Sequence, residues 1–222
     1  MPKILNPNNR KVAIVSSSNM AWESSPASGV ERKYLERDSS DEVARASTIV
    51  RFAPGSAFPK HIHAKGEEFI VLEGTFSDET GDFPTASYVR NPPGSSHSPH
   101  SKDGCTILVK LRQMEDSETA RTFVKMDQGE WVPGEQTGVE RKELFRSDTN
   151  SEIVTVERWQ VDVRLEAPPE GGEEIFLLEG TLSLNGIVYP SGTWIRLPHL
   201  QKRTLKVVET SLLWIKRGHL DH

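Results

Sequence analysis

What the chain lacks narrows its function before any motif is considered. Its 222 residues hold one cysteine, Cys105, so no intrachain disulfide can form and no Cys-x-x-Cys zinc site can be built. That usage fits a reducing compartment. Apolar runs are short: none approaches the roughly 20 residues of a membrane span. The opening Met1-Pro-Lys-Ile-Leu-Asn-Pro-Asn-Asn-Arg10 has no apolar core of a secretion signal, so a soluble, cytoplasmic protein without a membrane partner is expected. A basic excess is missing too. The 27 lysines and arginines against 32 acidic residues leave a net charge of −5, which gives no electrostatic reason to expect nucleic acid as a partner. Long amphipathic helical patterns are also absent.

Strand signals take their place. Ala46–Phe52, Glu68–Leu72, Ser87–Arg90 and Thr106–Leu111 are β-branched or aromatic runs bounded by Gly, Pro, Ser or Asp clusters. Leu182-Ser-Leu-Asn185-Gly186-Ile-Val-Tyr189 sets an Asn-Gly pair between two such runs, a strong hairpin signal. Short antiparallel strands with turn signals at this spacing imply an all-β, double-sheet barrel or jelly roll.

The pattern occurs twice. Trp22…Gly29-Val-Glu-Arg-Lys33-x-Leu35-x-Arg37 returns as Trp131…Gly138-Val-Glu-Arg-Lys142-x-Leu144-x-Arg146, 109 positions later. Gly66-Glu-Glu-Phe-Ile-Val-Leu-Glu-Gly-Thr75 returns as Gly172-Glu-Glu-Ile-Phe-Leu-Leu-Glu-Gly-Thr181, 106 positions later, so the second copy has lost three residues between Asp38 and Gly66. An internal duplication follows. Two domains are expected, 12–114 and 121–218, with the polar Glu115–Arg121 stretch as their connection.

Chemistry concentrates in the first copy. In His61-Ile-His63-Ala-Lys-Gly-Glu67 the two imidazoles share a face if the segment is extended, and the Ala64-Lys65-Gly66 bend brings Glu67 round beside them. Pro92-Pro-Gly-Ser-Ser-His97 is a turn that delivers a further imidazole from another direction. Three imidazoles and a carboxylate suit a borderline divalent metal.

The spacing Gly55-x5-His61-x-His63-x3-Glu67-x6-Gly74, followed by Pro92-x-Gly94-x2-His97, resembles the two motifs of the cupin superfamily. Its fuller context, with Tyr88-Val-Arg-Asn-Pro-Pro-Gly-Ser-Ser-His-Ser-Pro, resembles the cupin domain of the ChrR anti-sigma factors. The resemblance implies a bicupin of tandem double-stranded β-helix domains. It also implies zinc held by His61, His63, Glu67 and His97, in a regulatory or sensing module responding to an oxidant or a small organic ligand. The anti-sigma factors carry a helical domain with a histidine and two cysteines ahead of the cupin. About a dozen residues precede the first strand here, without such cysteines, so the sequence gives no basis for a sigma factor as partner.

Four protein ligands would saturate tetrahedral zinc but leave two positions open on six-coordinate iron, nickel or manganese. A metal-dependent dioxygenase that cleaves a diketone or flavonol is therefore the alternative, and whether the chain is an enzyme stays open. A monomer and a homodimer are both compatible with the duplication.

The repeat separates architecture from chemistry. Trp22/Trp131, Arg90/Arg196, Pro92/Pro198 and Lys110/Lys216 occur in both copies and read as fold residues. His61, His63 and His97 correspond to Ala167, Pro169 and Arg203, so one ion per chain is expected, with Glu173 left in an ion pair or at an exposed strand end. His100 and Cys105 occur in one copy and read as lining beside the site. Asp78 and Glu79, opposite Leu184 and Asn185, read as a solvated turn. His199, His219 and His222 are assigned no role.

Overall fold

The computed structural model describes residues 4–41, 44–166, 168–199 and 204–220. Among them the structure is strands and turns, with one short 3-10 turn at Ser17–Asn19. Two compact units result. One comprises residues 1–7 and 21–127, the other 8–20 and 128–222.

In the first unit the strand order runs Thr122–Lys125, Ser87–Asn91, Glu67–Asp78, Cys105–Leu111, Ala46–Phe52, Val30–Arg37, Glu23–Ser24. Phe52, Phe69, Phe76, Val89 and Ile107 close the apolar interior. A separate pair, His61–Ile62 with Ser96–His97, stands outside this path. The second unit repeats the order as Ala13–Ser16, Thr193–Leu197, Glu173–Leu184, Leu205–Arg217, Ile153–Trp159, Val139–Arg146, Val132–Pro133. Trp159, Ile175, Leu177, Leu182 and Leu213 fill it. Its hairpin has Asn185 and Gly186 both at positive φ, 51° and 85°, as a two-residue turn matched to strand twist requires.

Membership of the edge strands departs from the boundaries expected from sequence. Ala13–Ser16 pairs with Thr193–Arg196 in the second unit, and its repeat equivalent Thr122–Lys125 pairs with Ser87–Arg90 in the first. The connecting stretch is likewise built into the first unit rather than left as a polar tether: Glu118 receives hydrogen bonds from Arg90 at 2.6 and 2.7 Å.

The residues shared by both copies sit where fold residues sit. Arg90 is wholly buried and also donates to Glu68 at 2.9 Å, while Arg196 donates to the carbonyls of Asn8 and Lys11. Lys110 reaches Ser47 at 2.7 Å and Lys216 reaches Glu152 at 3.0 Å. A buried charge is tolerable only when paired in this way.

One irregularity in the long first-unit strand positions the site. Ile107 faces Val71 but Thr106 faces Glu73, so Leu72 is an extra residue. A bulge of this kind reverses the alternation of faces beyond it. Phe69 and Val71 point into the core before it, and Phe76 after it.

Candidate metal centre

The ligand candidates converge through backbone pairing. His97 lies directly opposite His61 in a short antiparallel pair. The turn after His63 is pinned by its own peptide: the His63 N–H donates to the Ser95 carbonyl at 2.9 Å, and Gly94 and Gly66 donate to the His63 carbonyl. Gly66 has φ +74°, and a Cβ there would meet the Met114 sulfur at 2.2 Å, so the bend that turns Glu67 inward needs glycine. The imidazole centroids stand 4.6 to 5.1 Å apart. One donor atom from each of His61, His63, Glu67 and His97 lies within 4.8 Å of all the others.

Hydrogen bonding at the far ring nitrogens fixes which atom each histidine offers. His61 Nδ1 donates to the Pro59 carbonyl at 2.9 Å. Ser95 Oγ gives its proton to the Pro92 carbonyl, so it accepts from His63 Nδ1 at 3.2 Å. His97 Nδ1 donates to the Asp78 carboxylate at 3.3 Å. This assignment, made from the network, leaves all three Nε2 lone pairs directed inward.

Two of those atoms, on His63 and His97, are buried without a hydrogen-bond partner, each 3.5 Å from Glu67 Oε2. Lone pairs facing a carboxylate at low exposure are unfavourable, by about 1–3 kcal/mol for each unsatisfied group, unless a cation lies among them. The donor set therefore fits a divalent metal.

Surrounding groups hold the ligands in place. Asn91 donates to Glu67 Oε2 at 3.2 Å. Asp78 is buried, 6% exposed, which corrects the reading of Asp78 as part of a solvated turn. Straight alternation from Glu67 would send Asp78 outward, and the bulge at Leu72 turns it in. Besides His97, it accepts from the Thr80 amide at 2.7 Å, the Thr80 hydroxyl and Arg121 at 3.2 Å. Burial pushes its carboxyl pKa up, but those donors prevail and hold it well below the usual range. Glu79 is exposed and accepts from the Ser98 amide.

For His97 burial acts downward, yet the Asp78 hydrogen bond and the Glu67 charge leave the pKa raised. Burial dominates at His63 and lowers it. His61 is only half-buried, with Phe58 against its ring, so the cluster opens toward solvent on that side.

The remaining sequence candidates fall elsewhere. His100 is exposed, its Nδ1 turned to the Ser98 carbonyl, and it stands outside the cluster. Cys105 packs in the first-unit core opposite Phe52 and Gly74. Burial lifts its thiol to about 11, so it offers no thiolate. His199 bonds the Pro169 carbonyl and His219 lies 3.5 Å from Glu174. Ala167, Arg203 and His222 lie outside the described residues. Glu173 is buried and paired with Arg217 at 3.3 Å. No second such cluster occurs among the described residues. Asn91 and Ser95 escaped sequence reasoning; the available signal was that Asn91, like Asp78, meets a leucine in the second copy, Leu197.

The ChrR cupin-like domain family matches the chain twice, over residues 10–115 and 119–221. Among solved structures, a putative dioxygenase from Nostoc punctiforme superposes with TM-score 0.76 at 14% identity, covering 96% of this chain and 85% of that one. A bacterial pirin, YhhW of Escherichia coli in complex with nickel(II), gives 0.67 at 13% identity, covering 94% and 99%. Oxalate decarboxylase OxdC of Bacillus subtilis gives 0.64 at 13%, covering 95% and 78%. At such identities the likeness is one of fold, the tandem jelly roll of a bicupin. No curated protein matches the sequence significantly.

Proposed function

Since the chain belongs to the ChrR cupin-like domain family, we propose that its first unit binds one divalent transition metal through His61, His63, Glu67 and His97 and serves as a regulatory sensor of an oxidant or a small organic ligand. The observation that carries the metal is the pair of buried, unpartnered Nε2 atoms of His63 and His97 facing the Glu67 carboxylate. A bound ion would supply Lewis acidity. The chain's own part is to keep the histidines in one tautomer through Pro59, Ser95 and Asp78, and to aim Glu67 through Asn91. Zinc is the metal this reading favours. Elemental analysis of protein purified without added metal tests it: close to one zinc per chain is expected, and a metal-free protein that takes up none on incubation overturns it.

The solvent opening beside His61 supports a second reading, a dioxygenase using iron, nickel or manganese. Oxygen uptake by protein loaded with each metal, in the presence of β-diketones and flavonols, separates the two. No consumption under any loading counts against the dioxygenase reading.

A further inference from the structure

The second repeat has gained polar residues as well as lost imidazoles. Strand register aligns the copies: Val30 faces Phe52 where Val139 faces Trp159, Arg32 faces Val50 where Arg141 faces Glu157, and Leu111 faces Glu67 where Arg217 faces Glu173. The turn closed by Ala27 and Val30 returns as that of Gln136 and Val139. On this alignment Ala27, Val50 and Leu111, which belong to the apolar core of the first unit or pack on it, are answered by Gln136, Glu157 and Arg217. A copy kept only as scaffold has no use for such changes, since burying ions costs desolvation that apolar filling avoids.

The three replacements, with Arg141, Trp159 and Leu165, line a cavity of about 50 Å³, room for about three or four water-sized groups. Hydrogen-bond accounting sets the polarity of what fits. The buried Glu157 carboxylate is saturated, accepting from the Thr155 hydroxyl and the Trp159 indole at 2.8 Å each and from both terminal nitrogens of Arg217. Arg217 in turn reaches Glu173. Among the described residues, the one buried lining atom without a partner is a donor. It is Gln136 Nε2, and the Arg141 guanidinium beside it is held only by a loose ion pair, 3.9 Å, to Glu135, which also lines the cavity but whose side chain is 93% exposed.

We propose that this cavity in the second unit is a binding site for a small carboxylate, whose oxygens accept from Arg141 and Gln136 while its carbon end rests on Trp159 and Leu165. The guanidinium fork matches a carboxylate in two parallel hydrogen bonds, and the site requires no metal.

The test uses full-length protein stripped of metal with a chelator and titrated with sodium acetate at constant ionic strength. Calorimetry follows the binding, and the indole N–H resonances of the five tryptophans report where it occurs. Acetate should saturate at one per chain and shift the Trp159 indole, identified from its absence in a Trp159→Phe variant. Acetamide should do neither. Arg141→Gln should weaken acetate about tenfold or more, as loss of a charge-assisted hydrogen bond implies. Arg32→Gln, its counterpart in the first unit, should change nothing. If Arg141→Gln melts early, Gln136→Ala decides, and it too should weaken binding. Absence of saturable acetate binding, equal binding of acetamide, or full affinity in well-folded Arg141→Gln or Gln136→Ala protein overturns the proposal.

Discussion

Asp78→Asn isolates what a buried carboxylate contributes to the metal centre. Four donors converge on Asp78: the Thr80 amide and hydroxyl on one oxygen, His97 Nδ1 and the Arg121 guanidinium on the other. An asparagine of the same shape has one acceptor oxygen and an NH2 group, so in either orientation two donors face two donors. If the NH2 turns toward His97, the ring is driven to the opposite tautomer and Nε2 then carries the proton. If it turns toward Thr80, the histidine keeps its tautomer but loses the negative charge that raises its basicity. Both routes weaken metal binding, and partners at this remove from a metal are typically worth 10–100-fold in affinity, or about 1.4–2.8 kcal/mol. Competition against a chromophoric zinc chelator at pH 7, well below the thermal midpoint, measures this directly. Affinity of Asp78→Asn within twofold of the parent would refute the reasoning. A loss as large as that of His97→Ala, with the thermal midpoint unchanged, would show that the ring has taken the opposite tautomer and no longer offers Nε2.

Elemental analysis after dialysis should return one ion per chain: His63→Ala and His97→Ala should lose it, while Glu173→Gln and His100→Ala keep it. Two ions, or loss on changing Glu173 but not Glu67, would misplace the site. Gly74→Ala should cost about 2 kcal/mol or more by urea denaturation, because Gly74 has φ +74° and a Cβ would lie 2.2 Å from the Gly104 carbonyl oxygen. Gly55→Ala, at φ +75° with open space around it, should cost only the backbone strain, about 1–2 kcal/mol. Glu157→Gln tests acid stability. Burial pushes the Glu157 pKa up, but the Arg217 charge and the hydrogen bonds prevail and depress it. Its stabilisation is thus present above the unfolded glutamate value of about 4.3 and is lost as pH falls through the folded value. The gap in urea midpoint between parent and variant should shrink as pH drops below that range. A gap constant with pH would contradict the pairing.

The strand runs, the duplication and the four converging residues could all be read from sequence, because β-branched runs, Asn-Gly and the His-x-His…Glu spacing are local signals. Asp78 could not be placed that way. The repeat comparison had singled it out, but its direction depends on a bulge at Leu72, six residues away, which alternation alone does not reveal. Asn91 and Ser95 looked like the end of a strand and part of a turn, and their contacts with Glu67 and His63 exist only once two distant segments pair. Nor does anything in Ala13-Ile-Val-Ser16 say which sheet edge it joins. An isolated four-residue strand carries no record of its partner.

The pairing of that strand has a consequence for the protein as it is made. Ser16 meets Thr193 across a separation of 177 residues. At the roughly 5–20 residues per second of protein synthesis, Ala13–Ser16 waits about 10 to 35 seconds on the ribosome before its partner exists. Its counterpart Thr122–Lys125 joins Ser87–Arg90, already made, as soon as it emerges. The first unit can therefore finish folding, with His61, His63, Glu67 and His97 assembled, while the second is still incomplete and Ala13–Ser16, made before every strand it will join, is among the last to be covered.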